Sequence, residues 1–197
     1  MIQELTYIQS EFDPSWRKAA FIDVETTGLN WAVDEIVELA ITLFAFDPNT
    51  GEIKGIIDEY VGLREPTCPI SGSAARIHGI TKKMVAGKNL DRQRIEAIFE
   101  AAEFIIAHNA RFDHGFVKRI FPSVLKKPWY CSMSGINWRK KGFVSKALQN
   151  LIRDHQIVVN GAHRAGADVK ACLLLLSRID SQGVTYLLEL IQGKKLL

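Results

Sequence analysis

The sequence lacks any apolar run close to the roughly 18 residues that a membrane-spanning helix needs. It also lacks the basic start and apolar stretch of a secretory leader, since it opens MIQELTYIQSEFDPS. A cytoplasmic protein is therefore the expectation. Its cysteines are few: Cys68, Cys131 and Cys172 are widely spaced, odd in number and form no CxxC pair. That argues against a disulfide framework or a structural zinc centre and leaves them as small apolar residues of a reduced compartment. There is no repeat, no low-complexity tract and no Pro/Gly/Ser-rich linker, so no internal domain boundary is placed. What is abundant is apolar residue, 47% against 24% charged over 197 residues, enough for one domain with a sizeable core.

The net charge of +3 conceals an uneven distribution. Residues 1–75 carry 4 basic against 13 acidic side chains, whereas residues 76–146 carry 15 against 5. Pairs such as Lys82-Lys83 and Lys126-Lys127 and the run Arg139-Lys140-Lys141 lie in the basic stretch. Such a stretch suits a surface that binds a polyanion, and it equally suits a solvated lysine-rich exterior.

Residues 1–18 read as an irregular or partly helical lead-in. Strands are expected at Ala19–Val24, at Ile36–Phe46 and at Gly55–Val61, joined as an antiparallel meander. Beyond Pro69 the pattern turns helical. Ser71 can cap a short helix ending at His78-Gly79, Thr81 can cap another, and Asp91 a longer one. FIIA, Phe104–Ala107, has the form of a buried strand, followed by an amphipathic helix with Phe112, Phe116 and Ile120 at a spacing of four. A weaker strand signal at Trp129–Ser132 precedes helices at Ser145–His155, Gly166–Arg178 and Val184–Ile191. Strands first, then alternation, imply a mixed sheet with helices on its faces.

Chemistry concentrates in a few words. In FIDVETTGL, Asp23 and Glu25 stand at i and i+2 of a strand and so share one face, roughly 6–7 Å apart at the backbone. Adjacent carboxylates repel unless a cation or strong donors hold them ionised, and a hard divalent metal is the usual partner. An exposed acid pair that is merely hydrated explains the same residues. Thr26, Thr27 and Gly28 then turn the chain and leave N–H groups beside the acids. Asp113 in HNARFD could simply answer a helix dipole, with Asn109 as N-cap, and His163 with Asp168 in HRAGAD could be surface residues at a helix start.

Their order is more specific than the parts. FIDVETTGL, RIHGIT (Arg76–Thr81), HNARFDHGF and HRAGAD closely resemble, in sequence order, the motifs of the DnaQ-like 3′-to-5′ exonucleases of the DEDD superfamily, over about Ala19 to Leu176. The resemblance implies a ribonuclease H-like α/β fold: a five-stranded mixed sheet, order 3-2-1-4-5 with the second strand antiparallel, and helices on both faces. It places residues 19–197 in one exonuclease domain after a lead-in at 1–18. It implies that Asp23, Glu25, Asp113 and Asp168 hold two Mg²⁺ or Mn²⁺ ions, −4 against +4 in formal charge. Such a pair hydrolyses phosphodiesters by activating water and stabilising the leaving oxygen. His163 matches the general base; the sister subfamily has Tyr where Arg164 stands, so the chain resembles the histidine type. Thr26, Thr27, Leu29, His78 and Asn109 match residues that hold the terminal nucleotide, together with His163. Ser73 stands where some proofreading relatives carry an acid, so sugar recognition is expected to differ.

The implied partners are 3′ ends of single-stranded nucleic acid, a nucleoside monophosphate product and, for a proofreading subunit, a DNA polymerase. Single-stranded DNA is the leading substrate; RNA trimming is the nearest alternative. A binding or polymerase accessory module without turnover is a third reading, opposed by the complete set of acids and His163. Monomer and homodimer are left open.

Overall fold

The computed structural model describes residues 5–8, 12–159 and 163–196. Three long strands come first: β1 (Arg17–Thr26), β2 (Ile36–Phe46) and β3 (Ile53–Leu63). Helices α1 (Gly72–His78), α2 (Lys82–Val85) and α3 (Arg92–Ala101) lead to β4 (Phe104–Ala107) and α4 (Ala110–Ile120). A 3-10 turn at Pro122–Lys126 precedes β5 (Trp129–Cys131), and α5 (Ser132–Gly135), α6 (Leu148–Asp154), α7 (Ala165–Leu176) and α8 (Tyr186–Gln192) complete the fold. The sheet order is β3-β2-β1-β4-β5. β2 runs antiparallel to both β1 and β3, while β1, β4 and β5 are parallel. This is the five-stranded ribonuclease H-like arrangement that the motifs implied. Among the described residues no helix is long and apolar enough to cross a membrane.

Strand alternation divides β1 between two cores. Ala19 and Phe21 pack with α7 and α8, whereas Ala20, Ile22 and Val24 pack against α3 and α4. β2, buried along its whole length, and FIIA of β4, buried at all four positions, read as near-continuous apolar runs because helices cover both faces. α7 is apolar almost all round and sits between the sheet and its neighbouring helices, which fits a central helix rather than a surface one.

Several boundaries differ from the sequence expectation. β1 begins at Arg17 rather than Ala19, and β3 extends two residues beyond each expected end. In the lead-in, Thr6–Ile8 is extended: Ile8 N–H donates to Ile56 O at 2.9 Å and Ile56 N–H to Thr6 O at 2.8 Å. The segment was expected to be irregular or partly helical; instead it covers the free edge of β3. At the opposite edge Leu196 N–H donates to Trp129 O of β5 at 2.8 Å. Both edges thus have backbone groups satisfied by chain ends that carry no hydrophobic period of their own. The turn at Pro122–Lys126 and the four-residue α5 are too short for periodicity to reveal.

Several helix caps form where the residue types placed them. Ser71 accepts from Ala74 N–H, Asp91 accepts from Arg94 N–H, and Gly79 ends α1 at φ 70°, the left-handed conformation that favours glycine. Thr81 and Asn109 occupy N-cap positions but make no side-chain cap bond.

The loop after β1 is held against α4. A Cβ at Gly115 would lie 2.9 Å from Trp31 Cδ1 and Cγ. Lys118 Nζ sits 4.9 Å from the centre of the Trp31 ring, and Arg119 donates to the carbonyls of Trp31 and Asp34. Gly115→Ala should therefore lower stability by about 1–3 kcal/mol in urea denaturation, although alanine is the better helix former, because the methyl group displaces Trp31.

Candidate active site

β1 carries Asp23 and Glu25 on the face that Ala19 and Phe21 occupy, the face covered by α7. Where the apolar side chains end, the carboxylates begin. The β1–β2 register slips between Glu25 and Thr26, a bulge that terminates regular pairing at the acids. Asp168 comes from the first turn of α7 and Asp113 from the first turn of α4. Carboxylate oxygens of Asp23, Glu25 and Asp168 lie within 4.8 Å of one another. Asp113 is nearly fully buried and close enough to raise the pKa of Asp23.

The electrostatics arise from this crowding. Burial, then Asp113, Glu25 and Asp168, push the Asp23 carboxyl well above the usual carboxylate range. Glu25 is raised to about 8 by burial and then by Asp168, Glu38 and Asp113, with Arg164 pulling against them. Asp113 is raised to about 7 by burial, opposed by backbone N–H groups including that of Val24. Asp168 is also raised by burial, against the influence of neighbouring His163 and an amide bond from Gln149 Nε2 at 3.2 Å. Among the described residues none of these four carboxylates forms an ion pair with lysine or arginine. An all-oxygen carboxylate cluster with no lysine or arginine ion pair among the described residues fits hard divalent ions such as Mg²⁺ or Mn²⁺, whose charge favours the ionised acids.

His163 precedes α7, solvent-exposed, at φ 62°. A left-handed backbone at a non-glycine residue is uncommon and is held here by the two residues after it. Arg164 donates from Nε and Nη2 to the carboxylate of Glu38, and Ala165 N–H donates to the same group at 2.9 Å. Glu38 lies directly opposite Glu25 in the β1–β2 ladder and is 1% exposed. It thus both caps the start of α7 and anchors the residue after His163. Nothing in the sequence singles out Glu38, one acid in the apolar run IVELAITLF; only the cross-strand pairing reveals its neighbours.

The residues matched to substrate contact fall into two groups. Leu29 is 83% exposed and, with Thr26, Glu25, Ile77, His78 and Phe112, lines a cavity of about 410 Å³ beside the carboxylates. Thr27 is fully buried: its hydroxyl donates to Asp34 and accepts from Glu35 N–H, and its backbone groups bond Glu35 and Ser71. It shapes the turn. His78 has both ring nitrogens engaged: Nδ1 accepts from Ile80 N–H at 2.9 Å, so Nε2 carries the proton and donates to Thr26 O at 3.2 Å. Burial lowers its pKa, consistent with a neutral brace that lines the cavity. Asn109 is exposed, one helical turn before Asp113.

The RNase T family model, an exonuclease family, matches residues 20–176. The chain belongs to this exonuclease family. That agrees with the DnaQ-like resemblance of the motifs. Among curated proteins, the PolC-type DNA polymerase III of Thermotoga petrophila is 32% identical over 70% of the chain. The match spans only 9% of that much longer relative. The DNA polymerase III epsilon subunit of Treponema pallidum is 29% identical over 79% of the chain and 73% of its own length. Among solved structures, exonuclease X in complex with 5′-overhanging duplex DNA superposes with a TM-score of 0.58 at 25% identity. It covers 86% of this chain and 99% of its own. An exonuclease I structure gives 0.64 at 23% identity, over 82% of this chain and 40% of that one, and shows the shared fold.

The electrostatics of this exonuclease domain lead to two expected outcomes. An acid whose pKa is raised by folding keeps its proton in the native state while the unfolded chain has already ionised. Stability of the metal-free protein should therefore fall as pH climbs from about 4 through the native values of about 7 for Asp113 and about 8 for Glu25. Thermal unfolding in EDTA across that range checks the slope. Added Mg²⁺ or Mn²⁺ should raise Tm more at pH 8 than at pH 6, and Asp23→Asn should stabilise the EDTA-treated protein while weakening the metal response. Separately, Arg164→Met leaves Glu38 buried without its cation. It should cost about 2–3 kcal/mol in urea denaturation, less than a fully buried pair because Arg164 is partly exposed, and Glu38→Met added to it should recover part of the loss.

Proposed function

We propose that the chain is a metal-dependent 3′-to-5′ exonuclease that hydrolyses the terminal phosphodiester of single-stranded DNA and releases nucleoside 5′-monophosphates. The observation that carries this reading is the convergence of Asp23, Glu25, Asp113 and Asp168 at one end of the sheet, with His163 leading into the helix that bears Asp168.

In this reading Asp23, Glu25, Asp113 and Asp168 would hold two divalent ions, which when bound supply Lewis-acid activation of water and stabilisation of charge at the departing 3′ oxygen. His163, in solvent contact and free of any resolved ion pair among the described residues, accepts the proton of the attacking water. The link from Arg164 and Ala165 to Glu38 keeps the backbone beside His163 in place through that transfer. Gln149 donates to Asp168 and so orients one carboxylate oxygen. The terminal nucleoside enters the cavity formed by Thr26, Leu29, Ile77, His78 and Phe112, with the exposed Leu29 side chain against the base. Thr27 and His78 stiffen that turn from behind. Closing the strand's end in this cavity sets the polarity of attack.

Oligonucleotides of DNA and RNA, labelled at either end and incubated with Mg²⁺, Mn²⁺ or EDTA, test the proposal. Stepwise metal-dependent release of mononucleotides from the 3′ end of DNA is expected; release from the 5′ end, or none from either polymer, would sink it. Preference for RNA would transfer the same chemistry to a ribonuclease. Asp23→Ala should abolish cleavage. His163→Ala should reduce kcat by about 10²–10⁴-fold while the Mn²⁺-dependent rise in Tm persists, and a fully active His163→Ala protein would remove that residue from the mechanism.

A further inference from the structure

The structure partitions the basic stretch between residues 76 and 146 in a way that sequence position alone does not. Many of its cations make internal contacts. Arg92 donates to Ile120 O, Arg94 pairs with Asp58, and Lys127 donates to Glu100 O and Ala102 O at the end of α3. Lys118 and Arg119 hold the loop after β1, and Lys141 bonds both Asp180 and Glu189. Within the acid-free segment from Ser132 to Ala147, Arg139, Lys140 and Lys146 remain exposed and without a carboxylate partner among the described residues.

That segment is a built loop. Trp138 Nε1–H donates to Ser132 O at 2.9 Å, and its ring meets Phe143 and Tyr186 edge-on. Phe143 stacks on His155 at 4.4 Å, and Lys141 ties the loop to α8 through Glu189. The loop encloses a polar concavity of about 690 Å³ whose wall includes Arg139 and Lys146 together with Met133, Phe143 and the 96%-exposed Val144. Cations beside apolar surface suit a phosphate backbone with bases attached better than they suit a free inorganic anion.

Its position is set by two bonds. His108 donates from Nε2 to Lys146 O at 2.9 Å while Nδ1 accepts from the Ser132 hydroxyl, fixing the loop to the residue just before Asn109 and α4. Gln149, in the first turn of the helix after the loop, donates to Asp168. The loop therefore adjoins the carboxylates through α4 and α6. The Leu29–His78 cavity adjoins them through β1 and α1.

We infer that the 133–146 concavity is the binding site for the nucleotides upstream of the scissile phosphate, with Arg139 and Lys146 contacting their phosphates. A strand with its end in the Leu29–His78 cavity and its preceding nucleotides in this groove presents the linking phosphodiester to Asp23, Glu25 and Asp168. The inference rests on the proposed exonuclease reading for that direction of the strand, but its test does not depend on turnover.

Fluorescein-labelled dT12 is titrated with the full chain in EDTA at several salt concentrations. The same titration is run on Arg139→Ser/Lys146→Ser and on the charge-matched Lys82→Ser/Lys83→Ser, with Tm checked for each. The groove variant should bind about tenfold more weakly or worse, and its log–log salt slope should be shallower by about 1.4, close to two single-strand phosphate contacts. The control should stay near the parent. Equal weakening in both variants, or none in the groove variant, would overturn the inference. In a second arm with Mn²⁺, the p-nitrophenyl ester of thymidine 5′-monophosphate, which has no upstream nucleotide, should be cleaved equally by the parent and the groove variant. Loss of ester cleavage in the groove variant alone would show that the loop serves the carboxylates rather than the strand. Inactivity of the parent toward both ester and DNA, with the binding difference intact, would count against the catalytic reading and leave the groove standing.

Discussion

Four carboxylates confined at the end of one strand, without a lysine or arginine among them in the described structure, are the constraint to which the surrounding architecture answers. Such a cluster opposes folding, because burial and mutual repulsion both disfavour the ionised state. The opposition is tolerated because the apolar part of β1 is buried on both faces and because α7, apolar on nearly all sides, brings Asp168 in with its own packing. The acids are thus set into a stable frame whose residual strain a divalent cation can relieve. The arrangement illustrates how a site can run against stability locally while the fold remains secure.

Histidines in this chain serve different ends, and their neighbours decide which. His78 and His108 are buried, each with one ring nitrogen donating to a carbonyl and the other accepting, so both are neutral posts that fix loops. His155 lies in an aromatic cluster with Phe143, Trp138 and Tyr186. His163 alone of these combines solvent contact, a left-handed backbone and proximity to an acid of the cluster. Its backbone is secured from behind by Arg164 and Glu38, so the ring is left available while its base is held.

Much of the fold was legible because its signals are local. β2 and β4 were bounded correctly from apolar runs, nearly continuous in β2 and uninterrupted in β4, and Ser71, Asp91 and Gly79 marked helix ends by their own chemistry. The edges were not legible. Thr6–Ile8 and Leu196 join the sheet through backbone bonds to Ile56 and Trp129, which no side-chain pattern encodes. Nor was the importance of Glu38 legible, since its partners Glu25, Arg164 and Ala165 come from a neighbouring strand and from a helix far along the chain. The basic stretch was visible as composition, but which cations face solvent together depended on which ones the fold had already engaged.

The sequence by itself determined the alternation that puts Asp23 and Glu25 on one face of β1, the caps that start the helices, and the order of the four motifs. These depend on periodicity and on residue type, which act over a few neighbours. Only the tertiary structure decided that Asp113 and Asp168 reach that face, that Glu38 secures the residue beside His163, and that Thr27 and His78 brace the turn beside the Leu29 cavity from within. Distance through space and loss of water set those roles, and both arise only when separate elements pack together.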